Sequence, residues 1–291
     1  MDNPDQFYQE AFSRNIGLLT REQQGRLRQA RVAIAGLGGV GGVYASTFAR
    51  LGIGNFHIAD LDRFEVANFN RQAAATMHTV GHSKVEGAEA LIHSINPFAT
   101  VTVFPTGVHA ETLPTFLDGV DLVLDGLDFF NIQSRRLLFR AARQAGIPVV
   151  TAGPVGYGSS MIVFTKEGMS FDDYFDLDDT QTEEEQLIRF GLGLTPTLLQ
   201  RHYFHPEGVN WKEKKAPSLV TGTLLCANLV SCEGLKILFG EIVHPAPASL
   251  HFDPYVRTLK KVTIPWGNKN PWQRLKRLVM TAVLRKRGSI S

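Results

Sequence analysis

A run of apolar residues that breaks into glycines constrains this chain more than anything else in it. Val32-Ala33-Ile34-Ala35 leads into Gly36-Leu37-Gly38-Gly39-Val40-Gly41. A helical stretch follows, then Phe56-His57-Ile58-Ala59 and a carboxylate at Asp60. The pattern reads as a buried strand, a tight turn, a helix and a second buried strand. Glycines 36, 38 and 41 satisfy G-x-G-x-x-G, and Asp60 stands 19 residues past the last of them. Backbone without Cβ atoms brings N–H groups close to a phosphate at the helix start, while the acid suits a ribose hydroxyl. The spacing predicts a nucleotide site, and on the glycines alone NAD or FAD is the usual reading.

The residues beyond Asp60 argue for ATP. They are Asp62, the run Asn68-Phe69-Asn70-Arg71-Gln72, then Gly81-His82-Ser83-Lys84, and Asp125-Gly126-Leu127-Asp128. Each falls at or just beyond the C-terminal end of an expected strand or at a helix start, where open α/β sheets bind ligands. An Arg and a Lys aimed at phosphates exceed what dinucleotide recognition needs. A triphosphate requires them, because its charge must be neutralised and the departing pyrophosphate stabilised. Asp128 is suited to hold Mg²⁺ through oxygen.

This set of motifs resembles the ThiF/MoeB/HesA family, the bacterial relatives of ubiquitin-activating enzymes, over residues 10–165 and 217–240. The resemblance implies a Rossmann-like nucleotide site and adenylation of a carboxylate, giving acyl-AMP and pyrophosphate. It assigns Gly36, Gly38, Gly39, Gly41 and Asp60 to the adenosine side, with Asp62, Asn68, Asn70 and Gln72 among the nucleotide contacts. Arg71 and Lys84 hold phosphates, and Asp128 positions Mg²⁺. It also matches Phe12-Ser13-Arg14-Asn15-Ile16 to an element whose arginine, here Arg14, crosses a homodimer into the partner's site.

The departures are equally informative. Residues 165–218 contain no cysteine, so the family's zinc-binding C-x-x-C pairs and its thioester cysteine are not expected. Asp128 is followed by Phe129 where the family has asparagine, which alters the metal surroundings. A cysteine-free branch of the superfamily dehydrates a modified adenosine in tRNA. Cys232, in a stretch matching a structural helix, is expected to be a buried small apolar residue.

The 291 residues, 44% hydrophobic and 20% charged, suffice for one large domain with appendages. No apolar run is expected to span a membrane and no signal peptide is visible, so the default location is cytoplasmic. The expected fold is α/β, a doubly wound and mostly parallel sheet with a C-terminal helix and strand extension. Its parts are a helical lead-in (1–30), a nucleotide-binding domain (31–165), an acidic crossover (166–218), a closing helix and strands (219–265) and a basic tail (266–291). Strands are expected at 31–36, 55–60, 100–104, 121–125 and 147–151, and helices at 41–52, 82–95, 110–118 and 131–145.

Charge is unevenly spread. Phe171 to Gln186 holds eight acids, read as a solvated loop or a surface for a basic partner, whereas Arg257 to the end holds ten Lys/Arg and no acid. In the tail, Trp272, Leu275, Val279, Ala282 and Val283 recur at helical spacing among Arg274, Lys276, Arg277, Arg285, Lys286 and Arg287. Such a helix suits an anionic membrane surface, RNA, or the chain's own acidic segment.

The leading expectation is an ATP- and Mg²⁺-dependent adenylyltransferase acting on the C-terminus of a small ubiquitin-like or peptide partner. A tRNA-modifying adenylating enzyme comes second. A non-catalytic nucleotide-binding partner of another enzyme is third, since mere adenosine binding has no need of Arg71, Lys84 and Asp128. An NAD dehydrogenase is last, because no hydride-transfer acid or base is evident.

Overall fold

The computed structural model describes residues 3–205 and 208–286. Its lead-in consists of α1 (Pro4–Ala11), a 3₁₀ turn (Ser13–Asn15) and α2 (Arg21–Gln29). Then come β1 (Arg31–Ala35), α3 (Gly41–Leu51), β2 (Asn55–Ala59), α4 (Lys84–Ile95), β3 (Thr100–Phe104), α5 (Leu113–Phe116), β4 (Leu122–Asp125) and α6 (Ile132–Ala145). The second half holds β5 (Val149–Val155), β6 (Gly158–Phe164), α7 (Phe171–Phe175), α8 (Glu183–Leu194), α9 (Val220–Phe239), β7 (Ala248–Asp253), β8 (Thr258–Thr263) and α10 (Pro271–Lys286).

Eight strands form one sheet in the order β3-β2-β1-β4-β5-β6-β7-β8. The first five in that order run parallel, and β6, β7 and β8 add antiparallel pairs. Strands β1 and β4 are apolar at nearly every position because helices cover both of their faces. One face packs against α3, α4 and α9 through residues such as Phe48, Ile92 and Val230. The other packs against α6, α7 and α8 through Phe139, Phe171 and Phe190. The chain order reverses between β1 and β4, and the crevice at the C-terminal ends of such a pair is where α/β sheets bind ligands.

Four expectations need correcting. The helix expected over 110–118 is a single turn, α5, started by Pro114. The acidic segment is mostly helical and neutralised from within. Thr182 and Glu185 form a capping box at α8, and acids in its first turn favour the helix dipole. Asp172 accepts from Arg136 and Arg140 of α6 at 2.9 and 2.6 Å, and Asp176 pairs with Arg189 and with Arg277 of α10. Thus the basic tail does meet the acidic segment. Third, Cys232 is exposed; it is Cys226, six residues earlier on α9, that is buried. Fourth, α9 is long and apolar enough to cross a membrane by length and composition alone. Its apolar character has another cause, because half of it is buried against β5, β6 and α3 as the helix closing the sheet.

Candidate nucleotide site

The glycine turn is packed so closely that side chains are excluded. Gly36 adopts φ +84°, and a Cβ there would stand 2.4 Å from the Gly126 carbonyl oxygen at the end of β4. At Gly41 a Cβ would lie 1.8 Å from the Gly36 carbonyl oxygen. These contacts bring the ends of β1 and β4 together under the start of α3, whose first N–H groups lack intrahelical partners.

Asp60 locks this turn. One carboxylate oxygen accepts from Leu37 N at 2.6 Å and the other from Asp62 N at 2.8 Å. Asp62 in turn accepts from Lys84 Nζ at 2.8 Å, and its carbonyl accepts from Lys84 N at 3.0 Å. A continuous chain of hydrogen bonds therefore runs from the glycine turn through two carboxylates to the Lys84 ammonium. Lys84 is only 7% exposed, so the carboxylate beside it compensates a charge otherwise costly to bury.

The 68–72 run closes over the same turn. Asn68 is structural in this geometry: its side chain accepts from Glu65 N and its carbonyl accepts from the N–H groups of Arg71 and Gln72. Asn70 donates to Ser218 O just before α9 and accepts from Arg71 Nη1 at 2.8 Å. The Arg71 stem would touch a Cβ at Gly39 at 3.4 Å, as would Thr223 of α9 at 3.1 Å. Gln72 is buried, its amide nitrogen faces Gly38, and its Oε1 has no partner. An orphaned buried acceptor beside a glycine turn fits a polar ligand that donates to it, as an adenosine does.

Asp128 follows β4 on the turn that enters α6. Its Oδ1 accepts from Phe130 N at 2.9 Å, and the residue is exposed. Among the described residues no three His, Cys, Asp or Glu cluster as metal ligands do. A single open carboxylate next to the glycine turn nevertheless suits Mg²⁺, which takes one or two carboxylates plus phosphate oxygens and water.

One residue the sequence reading missed organises this turn. Arg135, on the buried face of α6, donates from Nε to Asp125 Oδ2 at 2.8 Å and from Nη1 to the Asp128 carbonyl at 3.1 Å. Thr151 Oγ1 donates to the same Asp125 oxygen at 2.7 Å, and the guanidinium lies 4.6 Å over the Phe190 ring. The available signal was an arginine within the apolar stripe Ile132, Leu138, Phe139, a position that demands a buried partner.

Arg14 is not brought to the turn. Its 3₁₀ segment is anchored by Asn15, whose amide bonds Gln24 and the Leu51 carbonyl at the last residue of α3. The glycine turn lies at the other end of that 11-residue helix, about 16 Å away at 1.5 Å per residue. Neither cysteine serves the site as a nucleophile: burial pushes the Cys226 thiol up to about 12, and Cys232 faces solvent on the middle of α9.

Fold and site together define a nucleotide-binding α/β protein of the Rossmann type. A family model described as the ThiF family matches residues 12–273, and the chain belongs to that family. It is 33% identical over 150 residues to the tRNA threonylcarbamoyladenosine dehydratase of Haemophilus influenzae, covering 51% of this chain and 57% of that one. It is 32% identical over 144 residues to the molybdopterin-synthase adenylyltransferase of Salmonella typhimurium, covering 50% and 57%. The match thus spans little more than half of either relative. The crystal structure of E. coli MccB with AMPCPP and MccA shares the fold at a TM-score of 0.64, with 17% identity over 88% of this chain and 71% of that one.

Proposed function

We propose that this chain is an ATP- and Mg²⁺-dependent adenylyltransferase that activates a carboxylate at the C-terminus of a peptide or small ubiquitin-like protein. The observation that carries the reading is the hydrogen-bonded line from the glycine turn through Asp60 and Asp62 to Lys84. It puts a fixed cation beside a phosphate cradle, and an adenosine binder has no use for one. The reaction needs no protein nucleophile. A carboxylate oxygen attacks the α-phosphorus, the bond from that phosphorus to the α,β-bridging oxygen breaks, and pyrophosphate leaves. Lys84 and Arg71 act by neutralising charge on the phosphates and Asp60 by keeping the turn in shape. Mg²⁺, held by Asp128, would supply further neutralisation of the departing pyrophosphate. A relative from Thermus thermophilus named sulfur carrier protein adenylyltransferase supports the substrate class.

The separation of Arg14 from its own glycine turn supports a homodimer in which each Arg14 serves the partner's site. A second reading, adenylation during tRNA modification, is favoured by the dehydratase relative.

Calorimetric titration tests the nucleotide, and ATP–pyrophosphate exchange tests the chemistry. ATP with Mg²⁺ is expected to bind and NAD not. Lys84→Ala is expected to weaken ATP about 10- to 100-fold, the loss of one hydrogen bond to a charged group. Exchange should appear with a peptide or a small protein ending in a free carboxylate; exchange only with tRNA present selects the second reading. Tight NAD binding without ATP binding overturns both.

A further inference from the structure

The C-terminal helix turns its apolar stripe away from the protein. On α10 the face packed inward is Gln273, Arg277, Met280 and Leu284, with Leu284 against Ile188 and Leu192 of α8. Polar contacts hold that face: Arg277 Nη1 donates to Asp176 at 2.9 Å, Lys276 Nζ to Pro196 O at 2.7 Å and Gln273 Nε2 to Leu192 O. On the opposite side Trp272, Leu275, Leu278, Val279 and Val283 are 72%, 50%, 68%, 57% and 43% exposed. Folding normally buries the apolar face of an amphipathic helix and leaves the polar one in water. Here tertiary packing inverts that choice, leaving a contiguous apolar strip along a 16-residue helix.

We infer that this face is a docking surface for an anionic lipid bilayer. Three observations select that occupant. The strip is bordered by the exposed basic residues Arg274 and Lys286 and, just before the helix, Lys269, with no acid anywhere after Asp253. Two exposed tryptophans, Trp266 and Trp272, stand at the same end, and indole rings favour the headgroup level. Finally, the helix is clamped parallel to the protein surface by its inner face, the attitude of an interfacial helix. A second copy docking on the same strip would bring like charges together. Nucleic acid would want the bases in the centre of the face, where the side chains are instead apolar. Arg287, the remaining basic residue of the tail, lies outside the described residues.

Co-sedimentation of the full chain with phosphatidylcholine vesicles, with and without phosphatidylserine, tests the inference. Three bases near the surface predict a partition coefficient about a hundredfold higher on the anionic vesicles, falling with added salt. Emission from Trp266 and Trp272 should shift to the blue on binding. A Leu275→Glu/Val279→Glu variant, altered only at exposed positions, should keep its melting temperature and ATP binding while losing the vesicles. Arg274→Glu should cut the preference for anionic lipid from about a hundredfold to about fivefold. Equal partitioning to both vesicle types, no partitioning, or binding to RNA in place of vesicles each overturns the inference. So does concentration-dependent self-association that the double variant abolishes in the absence of vesicle binding.

Discussion

Replacing Arg135 tests whether the turn bearing Asp128 is held by a buried ion pair. In Arg135→Met the side-chain volume is largely kept, yet Asp125 loses its only cationic partner and is left with the Thr151 hydroxyl and the Leu127 N–H in a position 2% exposed. The Arg135 and Asp125 side chains are 4% and 1% exposed, so water cannot replace the lost partner. Removing one member of such a pair costs about 3–5 kcal/mol, because a charge stays buried without compensation. At about 2–4 °C per kcal/mol for chains of this size, the melting temperature should fall by about 10 °C. Asp125→Asn made in the Arg135→Met background should restore part of that loss. The coupling from the double-mutant cycle should then reach about 2 kcal/mol or more. Urea denaturation with unchanged slope, run on all four proteins, gives the numbers. Strictly additive single losses, or a loss below about 1 kcal/mol for Arg135→Met, would refute the argument. ATP affinity supplies a second readout: freed of Arg135, the Leu127 and Asp128 carbonyls no longer fix the turn, so binding should weaken even where the variant is fully folded.

Two further outcomes follow from the geometry. In the proposed homodimer, the heterodimer of Arg14→Ala and Lys84→Ala subunits should recover about half of one dimer's exchange activity, since both defects then fall in one site and the other is intact; an inactive heterodimer would remove Arg14 from the partner's site. Burial, reinforced by the Lys260 charge, holds His251 down to about 4, against the ordinary 6.5. The native state therefore keeps it neutral while the unfolded chain takes up a proton between those values. Its contribution, present above pH 6.5, is lost as pH falls through the window, by up to about 3 kcal/mol. His251→Gln should flatten stability against pH there, and an unchanged slope would exclude the histidine.

What could be read from the sequence was whatever depends on local pattern. The strands at 31–35, 55–59 and 100–104, the glycine turn and the following helix declare themselves because each is decided within a few residues by apolar runs or a forbidden Cβ. The hydrogen-bonded line from Leu37 to Lys84 was legible only as a set of residue types, since its links join three separate segments. The acids of 171–186 misled in part because Arg136 and Arg140 lie 36 and 32 positions from Asp172, and charge counting cannot see a pair that tertiary structure makes; the pairing with Arg277 of the tail was among the expectations. The two cysteines illustrate the same limit. Cys226 and Cys232 share one apolar helix, and only the rotation of α9 on the sheet decides which is buried.

The inverted C-terminal helix matters to the nucleotide site through its inner face. α10 grips α8 at Leu192 and Ile188, and α8 presents Phe190 to both the Phe129 ring and the Arg135 guanidinium. Arg135 in turn holds the carbonyl of Asp128. Two helices therefore separate the exposed strip from the carboxylate suited to the metal, and both are joined by buried contacts. Substitutions on the inner face, such as Leu284→Ala, act on stability by opening a cavity against α8 and so reach the site through Phe190. Substitutions on the outer face leave the Leu284, Gln273 and Arg277 contacts in place. The two faces of one helix thus separate support of the site from attachment to a surface, and each can be altered while the other is kept.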